Sequence, residues 1–196
     1  MENIKTLNID TAEVCIPCRD ILLYSGCRNS TDEKLQTLCS RYLEELRQNL
    51  TLRAVYAEVP VRFTENIADF GFCQHESASL KKFLGGNEKA YIFAATIGLG
   101  ADRLISRYST LSPSKAVIMD GCATAAIECF CDYLCEKVFE VPKQERFSPG
   151  YGDLPLAMQK DIIAFLSTSL SIGLSLTDSM LLTPTKSVTA IVKKKD

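Results

Sequence analysis

The alternation of apolar and polar residues divides the N-terminal half of the chain into short strands and helices. Residues 4–9 (IKTLNI) alternate well enough to predict a short strand. Apolar residues then recur at helical spacing between about Ser30 and Asn49, which predicts an amphipathic helix. A further strand is predicted over 52–63, broken at Pro60. Residues 90–96 (AYIFAAT) are almost continuously apolar, which predicts a central strand buried on both faces.

The C-terminal half is predicted to contain the longest helix and to end in a hairpin. Ser112-Pro113 begins a helix that runs to about residue 138, because proline suits a first helical turn and inward apolar residues follow. Segments 179–183 and 187–192 are predicted to pair as a C-terminal β-hairpin. The fold class is therefore α+β: a single domain with a mostly antiparallel twisted sheet packed by several helices. The long helix precedes a polar loop at 146–151.

Two local signals at helix starts are predicted to be structural. Asp153 is expected to cap the helix after the polar loop, with Pro155 in its first turn. Residues 96–100 (TIGLG) lie between a predicted strand and a predicted helix, where a phosphate-binding turn would stand. The third glycine of the dinucleotide fingerprint is replaced by Arg103, so a tight strand-to-helix turn is the favoured interpretation.

Length and charge narrow the classes of function. The 196 residues, 46% of them hydrophobic, are enough for one sizeable domain with a full core. The net charge is −2, and the acidic and basic residues are mixed along the chain, so nucleic acid is not an expected partner. Apolar runs are too short for a membrane span and no signal peptide is recognised, so we expect a cytoplasmic protein without membrane association.

The nine cysteines favour a core role over a disulfide or metal framework. Their number is odd, and no secretion signal accompanies them. Cys15-x-x-Cys18, with Cys27 further on, could begin a metal or redox site, but a closed zinc site needs four ligands in clusters. The single histidine, His75, stands in a region without matching partners. We therefore expect no metal site, although a cysteine-based metal or redox protein remains an alternative.

The polar loop Arg146-Phe147-Ser148-Pro149-Gly150-Tyr151 carries the chemistry that best fits a small zwitterionic ligand. The Arg146 guanidinium can clasp a carboxylate through two parallel hydrogen bonds. Pro149 biases Ser148 towards an extended conformation, which leaves its backbone groups free to face a ligand. Gly150 allows close backbone approach, and Tyr151 offers a flat ring with a polar tip.

With the segments that follow it, this signature loop (residues 146–151) resembles a known family. Leu176-Thr177-Asp178-Ser179 and Pro184-Thr185-Lys186-Ser187-Val188 follow it in order. The pattern is similar to that of the reactivation domain of cobalamin-dependent methionine synthase, which binds S-adenosylmethionine. The resemblance covers roughly residues 89–192. It divides the chain into two parts of one domain. Residues 1–80 form an N-terminal helical and strand segment that looks like free-standing bacterial relatives, and residues 81–196 form the core.

The resemblance implies which residues bind ligand. Arg146, Ser148, Gly150 and Tyr151 would hold S-adenosylmethionine, together with Glu128 on the long helix, which aligns with a family glutamate near the pocket. A charged residue on a helix is by default solvated, so the alternative for Glu128 is an exposed position. No catalytic residue is implied, because methyl transfer from a sulfonium to reduced cobalt needs alignment and no general base.

The resemblance also implies partners on other chains. Cobalamin would be carried by a separate methionine synthase or corrinoid protein, because this sequence has no Asp-x-His-x-x-Gly motif. A flavodoxin- or ferredoxin-type protein would donate the electron for reactivation. The chain would then be a methyltransferase component that supports reductive remethylation of cobalamin. The alternative in another class is a non-catalytic ligand-binding or docking subunit that kept the fold.

Overall fold

The computed structural model describes residues 4–28 and 30–194. Its strands are β1 (Lys5–Ile9), β2 (Leu52–Pro60), β3 (Arg62–Thr64), β4 (Ile67–Asp69), β5 (Gln74–Glu76), β6 (Lys89–Thr96), β7 (Ser175–Leu176), β8 (Leu182–Thr183) and β9 (Ser187–Lys193). Its α-helices are α1 (Cys18–Tyr24), α2 (Glu33–Arg47), α3 (Ala78–Leu84), α4 (Leu99–Leu111), α5 (Pro113–Lys137), α6 (Met158–Phe165) and α7 (Thr168–Ser171).

A main sheet with the strand order β1-β2-β6-β9 forms the centre of the domain. Every strand pairing within the described residues is antiparallel. The nearly continuous apolar run at 90–96 lies in β6, between β2 and β9, as the sequence predicts. Because β2 pairs with β6, the elements on the two sides of residue 80 share one sheet.

Helices cover both faces of this sheet. Side chains alternate along β6, so Phe93 and Ala95 face the helices α1, α2, α4 and α5, while Ile92 and Ala94 face α3 and α6. All four of these side chains are fully buried. Helices cover both faces of β6, which explains why this strand is apolar on both faces. The predicted α+β class is confirmed.

Helix α5 begins at Pro113 as predicted and packs closely against α1. Gly121 makes this approach possible, because a Cβ atom at this position would lie 3.1 Å from the carbonyl oxygen of Ile21 and would collide with Ser25. The contact brings the C-terminal end of α1 next to the middle of α5. The two helices thereby form the walls of the cleft described below.

The predicted C-terminal hairpin is corrected by the structure. Strand β9 pairs with β6 in the main sheet, whereas β8 pairs with β7 in a separate two-residue ladder. The physical reason is burial: Thr189 to Val192 are buried without interruption, which requires cover on both faces of the strand. A two-stranded hairpin could not provide that cover.

The predicted helix cap at Asp153 is also corrected. Helix α6 begins only at Met158, after a tighter turn in which the Met158 amide donates to the carbonyl of Pro155. Asp153 instead caps α3, where its carboxylate accepts hydrogen bonds from the amides of Ala78 and Ser79. The first amides of a helix lack partners within the helix, and those of α3 face Asp153, two residues after the signature loop.

Candidate ligand-binding site

The signature loop is fixed to the edge of the main sheet. The Phe147 amide donates to the carbonyl of Ile191 at 2.8 Å, and the Ile191 amide donates to the carbonyl of Phe147 at the same distance. Beyond this bridge the chain turns back, because the Gly150 amide donates to the carbonyl of Leu154 at 2.9 Å. Gly150 has φ +85°, a left-handed conformation that favours glycine.

Arg146 binds two carboxylates of helix α5. Its Nη1 donates to Asp132 Oδ1 at 2.6 Å, and its Nη2 forms a second ion pair with Glu128. Glu128 and Asp132 are four residues apart, so they lie on the same face of the helix. The Arg146 side chain is only 11% exposed. The structure therefore places two of the predicted site residues, Arg146 and Glu128, in contact. The guanidinium is directed at α5.

Burial alone would lower the pKa of the Arg146 guanidinium, but the acidic groups around it outweigh that effect and raise the pKa above its ordinary value. Arg146 is therefore a permanent cation beneath two carboxylates. Asp132 is held more firmly than Glu128, because its Oδ1 also accepts the Gln144 amide at 3.1 Å. Glu128 is 37% exposed and Asp132 is 19% exposed. Of the two partners, Glu128 is the more exposed to solvent.

The aromatic residues that follow Arg146 in the signature loop lie on a different side of the sheet. Tyr151 packs edge-on against Phe147, with ring centroids 5.4 Å apart, and is 70% exposed. Phe147 itself packs into the core on the α3 side of the sheet. Ser148 is half-buried, and its carbonyl accepts the Tyr151 amide at 3.1 Å. Arg146 thus faces α5, whereas Tyr151 lies with Phe147 on the α3 side.

A cleft of about 390 Å³ opens between α5 and the segment that leads into α1. Pockets for small molecules have volumes of roughly 300–1,000 Å³. The described lining contains carboxylates, cations and tyrosines: Glu13, Asp20, Glu128, Asp132 and Glu136; Arg19, Lys137 and Lys143; Tyr24 and Tyr133. Acidic groups are therefore in excess over basic groups in the lining.

Two tyrosines lie among these carboxylates. The Tyr133 hydroxyl donates to Glu13 Oε2 at 2.8 Å. Burial, and then the charges of Glu128 and Asp20, raise the pKa of the Tyr24 hydroxyl. Tyr24 is 42% exposed, so part of its ring is accessible from the cleft. Sequence reasoning did not identify Asp132, Asp20 or Tyr24, although the spacing of four residues from Glu128 was a usable signal for Asp132.

The glycine-rich turn after β6 has a packing role. A Cβ atom on Gly98 would lie 3.1 Å from Thr51 Cβ, and one on Gly100 would collide with the backbone of Asn49. Both glycines thus allow α4 to start close to the end of α2. The contacts favour the tight-turn interpretation of this segment.

The thiols of α5 behave mainly as small hydrophobic groups. Cys122, Cys131 and Cys135 are buried in the core, and Cys129 is half-buried. Burial raises the pKa of the Cys122 thiol to about 12, so this thiol stays protonated at neutral pH. Helical spacing predicts a core role for Cys122, Cys129 and Cys135; this is confirmed for Cys122 and Cys135, whereas Cys129 is only half-buried and packs against the core.

No helix in the described part of the chain is both long enough and apolar enough to cross a membrane.

Comparison with known proteins gives a likeness of fold. No family model matches the chain, and no curated protein matches it. Among solved structures, it is similar to the crystal structure of the MetH reactivation domain bound to AdoHcy. The TM-score is 0.71 at 17% sequence identity, and the match covers 96% of this chain and 77% of that chain. At this identity the likeness establishes a shared fold, which agrees with the resemblance in the signature loop.

Proposed function

We propose that this chain binds S-adenosylmethionine in the cleft between α1 and α5. The ligand carries an ammonium, a sulfonium and a carboxylate, so its net charge is positive at neutral pH. The cluster of Arg146, Glu128 and Asp132 carries one positive and two negative formal charges. This complementarity at the wall of a cleft of suitable volume is the observation that carries the proposal.

Glu128 is the partner suited to exchange when ligand binds. It is the more exposed of the two carboxylates that contact Arg146, and Asp132 is additionally fixed by the Gln144 amide. In the proposal, Glu128 turns to the ligand's ammonium group, and the ligand's carboxylate takes its place on Arg146. One charge-assisted contact is thereby replaced by two. The partly exposed ring of Tyr24 would receive the adenine base.

The residues after Arg146 belong to the proposal through the resemblance of the loop. Ser148, Gly150 and Tyr151 are proposed as ligand contacts on the resemblance alone, since none of the three lines the cleft between α1 and α5 and Tyr151 lies on the α3 side. The likeness of fold supports the ligand class, because the similar structure is bound to AdoHcy. AdoHcy has the atoms of S-adenosylmethionine without the transferable methyl group.

We further propose that the bound ligand supports reductive remethylation of cobalamin in the cytoplasm. S-adenosylmethionine would supply the methyl group, and a flavodoxin- or ferredoxin-type protein would supply the electron. Cobalamin would be held by a methionine synthase or corrinoid protein on another chain. The contribution of this chain is to bind and orient the methyl donor.

Calorimetric titration of S-adenosylmethionine, AdoHcy and adenosine into the full chain tests the binding step. We expect saturable binding of the first two at one site. Adenosine should bind more weakly because it lacks the amino-acid end that meets Arg146 and Glu128. If neither S-adenosylmethionine nor AdoHcy shows saturable binding, the proposal is refuted.

A separate assay tests the role in reactivation. A cobalamin-loaded methionine synthase that lacks its own reactivation domain would be inactivated by oxidation and then mixed with a reducing system. Addition of this chain with S-adenosylmethionine should restore turnover. Confirmed binding without any restoration would instead favour the non-catalytic docking subunit.

A further inference from the structure

A thiol, an imidazole and a carboxylate meet on the face of the sheet opposite to the cleft. Potential ligand atoms of Cys73, His75 and Asp161 lie within 4.8 Å of one another, and all three residues are half-buried. Within residues 4–28 and 30–194, this is the only group of three or more cysteine, histidine or acidic residues that is clustered in this way. His75 Nε2 lies 2.7 Å from Asp161 Oδ2.

The local fold explains why these three side chains converge. Cys73 directly precedes β5 and His75 lies within it, two residues later, so their side chains point to the same side of the extended chain. Strand pairing continues to Cys73, because the Phe70 amide donates to the Cys73 carbonyl at 3.1 Å. Asp69 stabilises the turn between β4 and β5 by accepting the Gly71 amide at 2.8 Å.

A stacked aromatic pair holds this turn against α6. The rings of Phe72 and Phe165 have centroids 4.0 Å apart and an interplanar angle of 9°. Phe72 is next to Cys73 in sequence, and Phe165 is four residues after Asp161, on the same face of α6. The stack therefore keeps the Cys73 and His75 side of the hairpin close to Asp161.

We propose that Cys73, His75 and Asp161 form a binding site for a zinc-class divalent cation, with a fourth coordination position left to solvent or a further ligand. One sulfur, one nitrogen and one oxygen ligand form a set that zinc accepts, and three protein ligands with an open position are typical of non-structural zinc sites. Binding releases the thiol proton of Cys73 to solvent, because the thiolate is the ligand.

The present spacing needs only a small adjustment. Zinc bonds of about 2.0–2.3 Å in tetrahedral geometry separate neighbouring ligand atoms by about 3.3–3.8 Å. The cation therefore replaces the short His75–Asp161 contact of 2.7 Å and draws the thiol inward. Asp161 is 41% exposed, so its side chain is free to rotate.

The proposed site departs from the expectation, drawn from the sequence, that the chain has no metal site. That expectation considered spacing along the sequence, and Asp161 is 86 residues away from His75. Only the packing of α6 against the hairpin brings the third ligand into place. The inference does not depend on S-adenosylmethionine binding.

Cobalt substitution provides a direct test with the reduced, metal-stripped full chain. Titration with Co²⁺ should produce visible ligand-field bands and a near-ultraviolet thiolate-to-metal absorption that saturate at one equivalent, and Zn²⁺ should displace them. Cys73→Ser should abolish the thiolate absorption. His75→Gln and Asp161→Asn should each weaken binding by at least about tenfold, because loss of even an outer-shell partner has that effect.

A matched control distinguishes this site from the Cys15-x-x-Cys18 segment. The double variant Cys15→Ser/Cys18→Ser should keep the wild-type cobalt spectrum and affinity. The proposal is overturned if wild type gives no thiolate absorption, or if the absorption survives in Cys73→Ser and disappears in the double variant. Asp161 is partly exposed, so Asp161→Asn should keep the wild-type circular dichroism spectrum. A folded Asp161→Asn variant with undiminished affinity would also refute the three-ligand site.

Discussion

Asp153 caps helix α3 from a loop that lies 75 residues further along the chain: the Ala78 amide donates to Asp153 Oδ2 at 2.9 Å. The Ser79 amide donates to Oδ1 of the same carboxylate at 3.1 Å. These hydrogen bonds, led by that of the Ser77 hydroxyl, lower the pKa of the Asp153 carboxyl to about 2. The cap therefore connects the turn that follows the signature loop to α3.

This cap should make stability depend on pH in the acidic range. The ordinary pKa of the group is 3.8, and the folded value is about 2. Because the folded value is the lower one, the stabilisation is fully present above about pH 4 and is lost as the pH falls towards 2. Urea unfolding of wild type and Asp153→Asn should show a difference in unfolding free energy that shrinks over this interval. Asp178→Asn, at another exposed carboxylate, is the control. A difference that stays constant down to pH 2 would contradict the cap.

Elements with a regular pattern of apolar residues could be predicted from the sequence, because that pattern shows which of their faces are buried. Strand β6 and helix α5 are long, and their apolar residues recur with the period of the element. The error at the C-terminus has a clear origin. An apolar segment such as 187–193 predicts a strand but does not indicate which strand it pairs with. Here it pairs with β6. The cap of α3 by Asp153 depends on the same kind of distant contact, which local signals do not contain.

The candidate site could be predicted only in part for the same reason. Resemblance in the loop pointed to Arg146 and Glu128, and the structure places them in contact. It did not indicate that Asp132 occupies the other half of the guanidinium. That arrangement follows from the side of the sheet to which Arg146 turns, and the side is set by the pairing of Phe147 with Ile191.

Gly150→Ala should reduce both stability and ligand binding. A side chain at φ +85° is strained by about 1–2 kcal/mol, and the new Cβ would lie 3.2 Å from Leu156 Cδ1. Gly26→Ala is a matched control, because its φ is +75° and a Cβ there would meet open space. Chemical unfolding should show a loss in both variants, whereas calorimetry should show weaker S-adenosylmethionine binding only for Gly150→Ala. Equal affinity in the two variants would remove Gly150 from the binding proposal.

The cysteines should differ widely in reactivity. Cys15 is exposed, whereas Cys39, Cys122, Cys131 and Cys135 are buried. Brief alkylation of the native, reduced protein, followed by peptide mass spectrometry, should modify Cys15 and leave these four unmodified. All of them should react after unfolding in denaturant. Rapid native labelling of Cys122 would contradict the packing of α5 against α2, where its thiol donates to the Cys39 carbonyl at 3.9 Å.

Glu128→Gln should weaken S-adenosylmethionine binding with little effect on folding. The substitution keeps the shape of the side chain and removes the charge proposed to meet the ligand's ammonium, so we expect a loss of about tenfold or more. Glu136→Gln is the control, because Glu136 also lines the cleft but contacts Lys143 at 3.5 Å instead of Arg146. Calorimetry on both variants should show the larger loss for Glu128→Gln. Equal small effects would indicate that the cleft acts only through its general charge.

Arg146 provides the strongest test, because removing its side chain affects folding and binding through different partners. In Arg146→Ala, Glu128 and Asp132 lose the cation between them, which should cost about 2 kcal/mol of unfolding free energy. This value is below that of a fully buried pair, because Glu128 remains partly solvated. If the guanidinium also receives the ligand's carboxylate, S-adenosylmethionine affinity should fall by about 30- to 1,000-fold.

Arg146→Lys separates charge from geometry. Lysine keeps the positive charge near both carboxylates, so it should recover much of the stability of wild type. It cannot hold Asp132 and the ligand's carboxylate on two fixed nitrogens at once, so it should recover only part of the affinity. Melting curves and calorimetric titrations of wild type and both variants provide the comparison. A lowered melting temperature with unchanged affinity in Arg146→Ala would show that Arg146 only ties the loop to α5, and would refute its part in ligand binding.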